Sequence, residues 1–165
     1  MVLKFIYSIF IGVLFATLVG VGIAAFYISP KSPDYPTTLT YTKPLEQQTT
    51  QEQQQMQQKQ NAYEAQMKLF QKKVMLYNRN VSIIALIAAI IALVVSLTFF
   101  KQLLLISDGL LLGGLLTLIY SIFRGFATDD NMFRFIVVAI GFITAIIVGY
   151  IKFVPNSVKK TARSK

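Results

Sequence analysis

Hydrophobic and polar positions divide the chain into long apolar blocks and one extended polar stretch. Four blocks are long enough to cross hydrocarbon, which takes about 20 residues of helix at roughly 1.5 Å each. They are Phe5 to Ile28, Val81 to Phe100, Leu103 to Phe123 and Phe135 to Phe153. Without water, such blocks satisfy their backbone hydrogen bonds as helices. The pattern predicts an all-α membrane protein with four transmembrane helices. A long helical, Gln-rich soluble segment separates the first helix from the second. Along the chain this gives a first span that doubles as a signal anchor (1–28), a Pro/Thr-rich extended linker (29–44) and a soluble helix (45–80). A three-helix transmembrane bundle (81–153) and a basic tail (154–165) complete it.

The polar stretch has two characters. Ser29 to Pro44 holds four of the five prolines in the chain, so it reads as extended or turn-rich. From Leu45 to Asp108 there is neither Gly nor Pro, and nothing obliges a helix to stop. After the glutamine run, Tyr63, Met67, Phe70, Val74, Tyr77 and Val81 recur at alternating steps of four and three. That spacing is a heptad seam leading into the second span. One expectation is a helix of about 54 Å from Leu45 to Asn80 that pairs with a partner or with a second copy. A second has the helix lying on the bilayer with Lys68, Lys72, Lys73 and Arg79 toward headgroups, Leu69, Met75 and Leu76 widening its apolar face. A third leaves it as a passive extension resting on its own loop.

Small residues repeat within every span. The first carries Ser8, Gly12, Ala16, Gly20 and Ala24 at steps of four; the second has Ser82, Ala85, Ala89, Ala92 and Ser96 at steps of three and four. Gly109, Gly113, Thr117 and Ser121 follow in the third span, and Gly141, Ala145 and Gly149 in the fourth. Such stripes let helix backbones approach closely where lipid supplies no hydrophobic drive for association. They predict a tight bundle.

One acid interrupts the third block, in LLLISDGLLLGGLLTLIY. At the centre of a span Asp108 would cost around 2.5–3.5 kcal/mol and would suggest an ion or proton path. It lies near the start of the block, however, between Ser107 and Gly109. There Asp108 or Ser107 can cap a helix that begins at Gly109, with Lys101 close enough to pair with the carboxylate. A polar contact with another helix is the remaining option. In ATDDNMFRF, the paired acids Asp129 and Asp130 could bind a cation. Thr128 and Asp129 also stand where the fourth helix should begin, and capping is the simpler role.

Composition narrows the chemistry. Hydrophobic residues make up 55% of the chain and charged residues only 14%, against about a quarter in an ordinary soluble domain. With no His and no Cys, imidazole catalysis, disulfides and thiolate or imidazole metal sites are excluded. No phosphate-binding loop, dinucleotide fingerprint or nucleophile elbow occurs, so neither an enzyme nor a cofactor is expected. The formal charge of +9 sits mostly beside apolar spans, which points to anionic headgroups and not to nucleic acid.

Four spans put Lys4, Lys101 and the tail on one side, and the polar stretch with the Gly125–Met132 turn on the other. Seven Lys/Arg then flank the spans on the first side and eight on the second, so charge does not set the orientation. The MVLK start and the exported character of the Pro/Thr-rich segment favour a multi-pass inner-membrane protein with both termini cytoplasmic. Cleavage after Ala24 or Ala25 is the competing reading of the first block.

Three stretches carry a resemblance: FYISPKSPDYP after the first span, YNRNVSIIALI entering the second, and DGLLLGGLLTLIYSIFRGF. They resemble small four-span bacterial membrane proteins of hypothetical status, over most of the chain, and no activity comes with the resemblance. The expected function is a membrane scaffold or anchor that presents its soluble helix to a protein partner or to itself. The alternative is a small oligomeric ion-conducting or transport-type protein that uses Asp108.

Overall fold

A computed structural model describes residues 2–36, 50–98 and 104–162, the side chains at 104 and 153–162 excepted. Its regular structure is helical: α1 (Val2–Phe26), α2 (Thr50–Thr98), α3 (Leu104–Phe126) and α4 (Asn131–Ala162). All four contain a stretch long and apolar enough to cross a membrane. No strand occurs among the described residues. Helix α2 is one helix of 49 residues, and the start expected for it at Leu45 lies outside the described residues. Two boundaries differ from expectation. Helix α3 begins by Leu104 and not at Gly109, and α4 continues past Phe153 and Pro155 to Ala162.

The chain forms two compact units, one of Met1–Ile28 with Asn78–Lys165 and one of Ser29–Tyr77. In the first, α3 is the central helix. It runs antiparallel to α2, since Ser96 meets Ser107 while Ser82 meets Ser121. It runs parallel to α1, where the Ser8 hydroxyl donates to the Leu105 carbonyl at 3.2 Å and Gly12 meets Gly109 and Gly113. It is antiparallel to α4, where Gly141 seats the Leu118 and Ile122 side chains. Ala89, Leu93, Leu118 and Val148 form a buried apolar cluster across α2, α3 and α4.

Which small residues reach this interior follows from helix geometry. At 3.6 residues per turn, a step of four overshoots a full turn by about 40°, whereas alternating three and four returns to nearly the same face. The α2 stripe alternates, and Ser82, Ala85, Ala89, Ala92 and Ser96 are all buried. The α1 stripe steps by four and drifts. Gly12 is buried and Ala16 half-buried, but nothing approaches Gly20 and Ala24 is exposed. The α4 stripe drifts likewise. Gly141 is buried, Ala145 is exposed, nothing approaches Gly149, and the buried line is instead Val137, Gly141 and Val148. Continuous small-residue faces on α1 and α4 are therefore corrected: close approach is confined to the Ser8–Gly12 part of the α1 stripe and to Gly141 on α4. On α3 the drift costs nothing. Gly109 and Gly113 meet α1, Ser121 meets α2, and all of Gly109, Gly113, Thr117 and Ser121 are buried.

Candidate functional site

The buried serines of α2 and α3 fix these two helices to one another. Ser82 Oγ donates to the Ser121 carbonyl and Ser121 Oγ to the Ser82 carbonyl, both at 2.8 Å. The same exchange joins Ser96 and Ser107, at 2.7 and 3.0 Å. The two pairs lie 14 residues apart on each helix (82 to 96, 107 to 121), about 21 Å along the axis. Fourteen residues are two heptads, so both pairs fall on one seam of an antiparallel helix pair. Between them, Leu93 fills the space over Gly114, where an added Cβ would come within 2.9 Å of its side chain. Thr117 Oγ1 donates at 2.8 Å to the Gly113 carbonyl of its own helix, which satisfies the hydroxyl locally.

Helix α1 meets α3 at a glycine crossing. A Cβ on Gly113 would lie 2.9 Å from the Gly12 carbonyl oxygen, and one on Gly109 would lie 2.7 Å from Ile11 Cβ. The backbones could not be this close with larger residues.

Asp108 occupies the end of α3 next to this crossing. Since α3 starts by Leu104, neither Asp108 nor Ser107 is an N-cap. The Ser107–Asp108–Gly109 run resembles a helix start only because its neighbours are hidden from the sequence. Ser107 bonds to Ser96 instead, and the Asp108 carboxylate meets Lys152 of α4, with Nζ 2.6 Å from Oδ1. Their side chains are 50% and 24% exposed, so the pair is a partly exposed bridge between helices, not a sealed buried charge. Lys101, the partner expected from sequence, lies outside the described residues. Beside the pair is a recess of about 660 Å³ between α1, α3 and α4, with Lys4, Asp108 and Lys152 among its polar lining and Phe5, Ile9 and Leu112 among its apolar lining.

A second polar group closes the opposite end of the first unit. Arg124 of α3 donates from Nη1 to Asn78 Oδ1 at 2.9 Å and from Nε to Tyr120 Oη at 3.0 Å. Asn80 Nδ2 donates at 2.7 Å to Tyr27 Oη, which ties α2 to the end of α1. In the α3–α4 turn the cap is Asp130, and neither Thr128 nor Asp129. Asp130 Oδ1 accepts from the Met132 and Phe133 amides at 3.0 and 3.1 Å, satisfying two orphan donors at the helix start. The Thr128 hydroxyl donates back to the Gly125 carbonyl, the Thr128 carbonyl accepts from Arg134, and Asp129 lies 3.9 Å from Arg134. The paired acids are thus spent on a cap and an ion pair. Among the described residues, no three acids converge as a metal site.

In the second unit, Tyr63, Met67, Phe70 and Val74 are half-buried and Tyr77 is buried, while most residues between them are exposed. Part of the cover comes from the Pro-rich segment. Tyr35 packs edge-on against Tyr63, with centroids 5.2 Å apart at 78°, and Pro33 and Lys31 share a recess with Phe70 and Lys73. The seam is therefore not an open stripe. The large apolar residues left exposed on this stretch are Leu69 and Leu76, one heptad apart.

No family model, curated protein or solved structure matches this chain. Its role has to be read from its residues.

Several participants escaped the sequence reading, Asn80 and Tyr27 among them. Lys152 carried a signal, as a cation one residue inside the end of an apolar block, but its partner lies 44 residues away in α3. Asn78 and Tyr120 carried none, because single polar residues near a span are ordinary.

Proposed function

We propose that the chain is a multi-pass inner-membrane anchor, both termini cytoplasmic, that holds the Thr50–Tyr77 stretch of α2 outside the bilayer for pairing with a second copy or a protein partner. The observation that carries this is the continuity of α2. At 1.5 Å per residue its 49 residues measure about 73 Å, more than twice the hydrocarbon thickness, so roughly thirty must lie outside. Insertion is supported by the placement of charge. Between Asp108 and Arg124, and between Arg134 and Lys152, α3 and α4 run uncharged for about 22 and 25 Å. The broad apolar faces of α1 and α4 are exposed, as lipid contact requires, with the α1 apolar window only 11% buried.

Ion conduction through Asp108 is the weaker reading. Its carboxylate is held by Lys152 and stands at one end of the uncharged length, not in its middle. A catalytic role is not part of the proposal.

Cysteines introduced at Leu69 and Leu76 test the presentation of α2, since the chain has none of its own. Interchain or partner adducts should form at these exposed positions and survive Lys72→Glu with Lys73→Glu. Loss of adducts in the charge-reversed chain would mean a helix held by anionic headgroups. No adduct at either position would leave α2 a passive extension.

A further inference from the structure

The recess beside Asp108 holds a cation that the ion pair does not use. Lys4 lines it from the first turn of α1, and among the described residues it has no acidic partner. Lys152 stands opposite on α4, positioned by Asp108. Among the residues that line the recess, two lysines stand against one carboxylate. Behind the charges the lining turns apolar within about one helical turn, at Phe5 and Ile9 of α1 and Leu112 of α3. The recess therefore matches an amphiphile with an anionic end and a hydrocarbon tail.

We propose that it binds an anionic phospholipid, the phosphodiester facing Lys4 and Lys152 and the upper acyl chain lying along Phe5, Ile9 and Leu112. This rests on the reading of the four helices as spans. In a spanning protein a recess whose lining includes the exposed Phe5 and Ile9 faces lipid. Tails do not discriminate, because groove and bilayer are equally apolar. Selectivity must come from the headgroup, and basic residues at the boundary attract anionic lipid. Asp108 then has a second consequence: by fixing Lys152 it sets where the phosphate sits.

The chain has no Trp, so Phe5→Trp, at a side chain already 69% exposed, gives one reporter inside the recess. The full-length protein is reconstituted in phosphatidylcholine vesicles carrying a minority of brominated lipid, either phosphatidylglycerol or phosphatidylcholine. Quenching should be stronger with brominated phosphatidylglycerol. Lys4→Gln should cut that preference about fivefold, the effect of one boundary lysine. Lys68→Gln, an equal charge change in the other unit, should leave it intact. Equal quenching by the two lipids would overturn the site, as would an equal loss in Lys68→Gln, which would reduce the preference to general surface charge. Failure of either lipid to quench would instead overturn the spanning reading itself.

Discussion

Ser82 and Ser121 each donate a hydrogen bond to the other's carbonyl oxygen at 2.8 Å, and Ser96 and Ser107 repeat the exchange two heptads along the same helix pair. Each hydroxyl donates to a carbonyl of the facing helix. The exchange fixes the register of α2 on α3 without leaving a buried donor unused. In apolar surroundings such interhelical bonds contribute about 0.6 kcal/mol each on average, and up to about 1.7. Ser82→Ala with Ser121→Ala should therefore destabilise by about 1–2 kcal/mol, with clear coupling between the two changes in a double-mutant cycle. Cysteines at 82 and 121 should cross-link readily, whereas cysteines at the exposed Ile87 and Ile119 should not. Cross-linking of the second pair in preference to the first would reject the antiparallel register.

The glycines should separate into two classes. Gly113→Ala brings a methyl to 2.9 Å from the Gly12 carbonyl oxygen, and overpacking of this kind costs roughly 1–3 kcal/mol. Nothing lies within 4 Å of a Cβ at Gly20 or Gly149. There alanine should be neutral or stabilising by up to about 1 kcal/mol through helix propensity. Thermal unfolding in detergent distinguishes the classes, and a loss at Gly20 as large as at Gly113 would contradict the drifting-stripe geometry.

Charge inversion examines the Asp108–Lys152 pair. With both side chains partly exposed, its contribution to stability should stay within about 1 kcal/mol. Asp108→Lys should lower the unfolding temperature by repelling Lys152, and Asp108→Lys with Lys152→Asp should recover most of the loss. If the double variant were no better than the single one, the carboxylate would have another partner.

Asp130→Ala should cost about 1 kcal/mol, because two amides at the start of α4 lose their acceptor. Asp129→Ala should stay within about 0.5 kcal/mol, as expected for an exposed side chain whose ion pair with Arg134 is at 3.9 Å. Equal effects would remove the assignment of the cap to Asp130.

How far the fold could be read from sequence depended on whether a residue's partner was implied by local spacing. The four apolar helices and the α2 face were legible, since block length and a three-and-four period are properties of one helix. The drift of the α1 and α4 stripes was also implicit in their steps of four, but which residues lose contact depends on where neighbouring helices end. The start of α3 was misleading. Ser107, Asp108 and Gly109 are all good helix-start residues, and only the long-range partners Ser96 and Lys152 show why they stand inside a helix. The heptad seam was visible, yet its cover was not, because Tyr35 reaches Tyr63 from across a long stretch of intervening chain.

The central claim is a chain that crosses the membrane four times with both ends on one side. Single cysteines at Gln55, Asp129 and Ser164, labelled with a membrane-impermeant maleimide in intact cells and again after permeabilisation, test it most directly. Gln55 and Asp129 should label in intact cells, and Ser164 only after permeabilisation. Labelling of Gln55 and Ser164 from the same side, or of Gln55 and Asp129 from opposite sides, would contradict it.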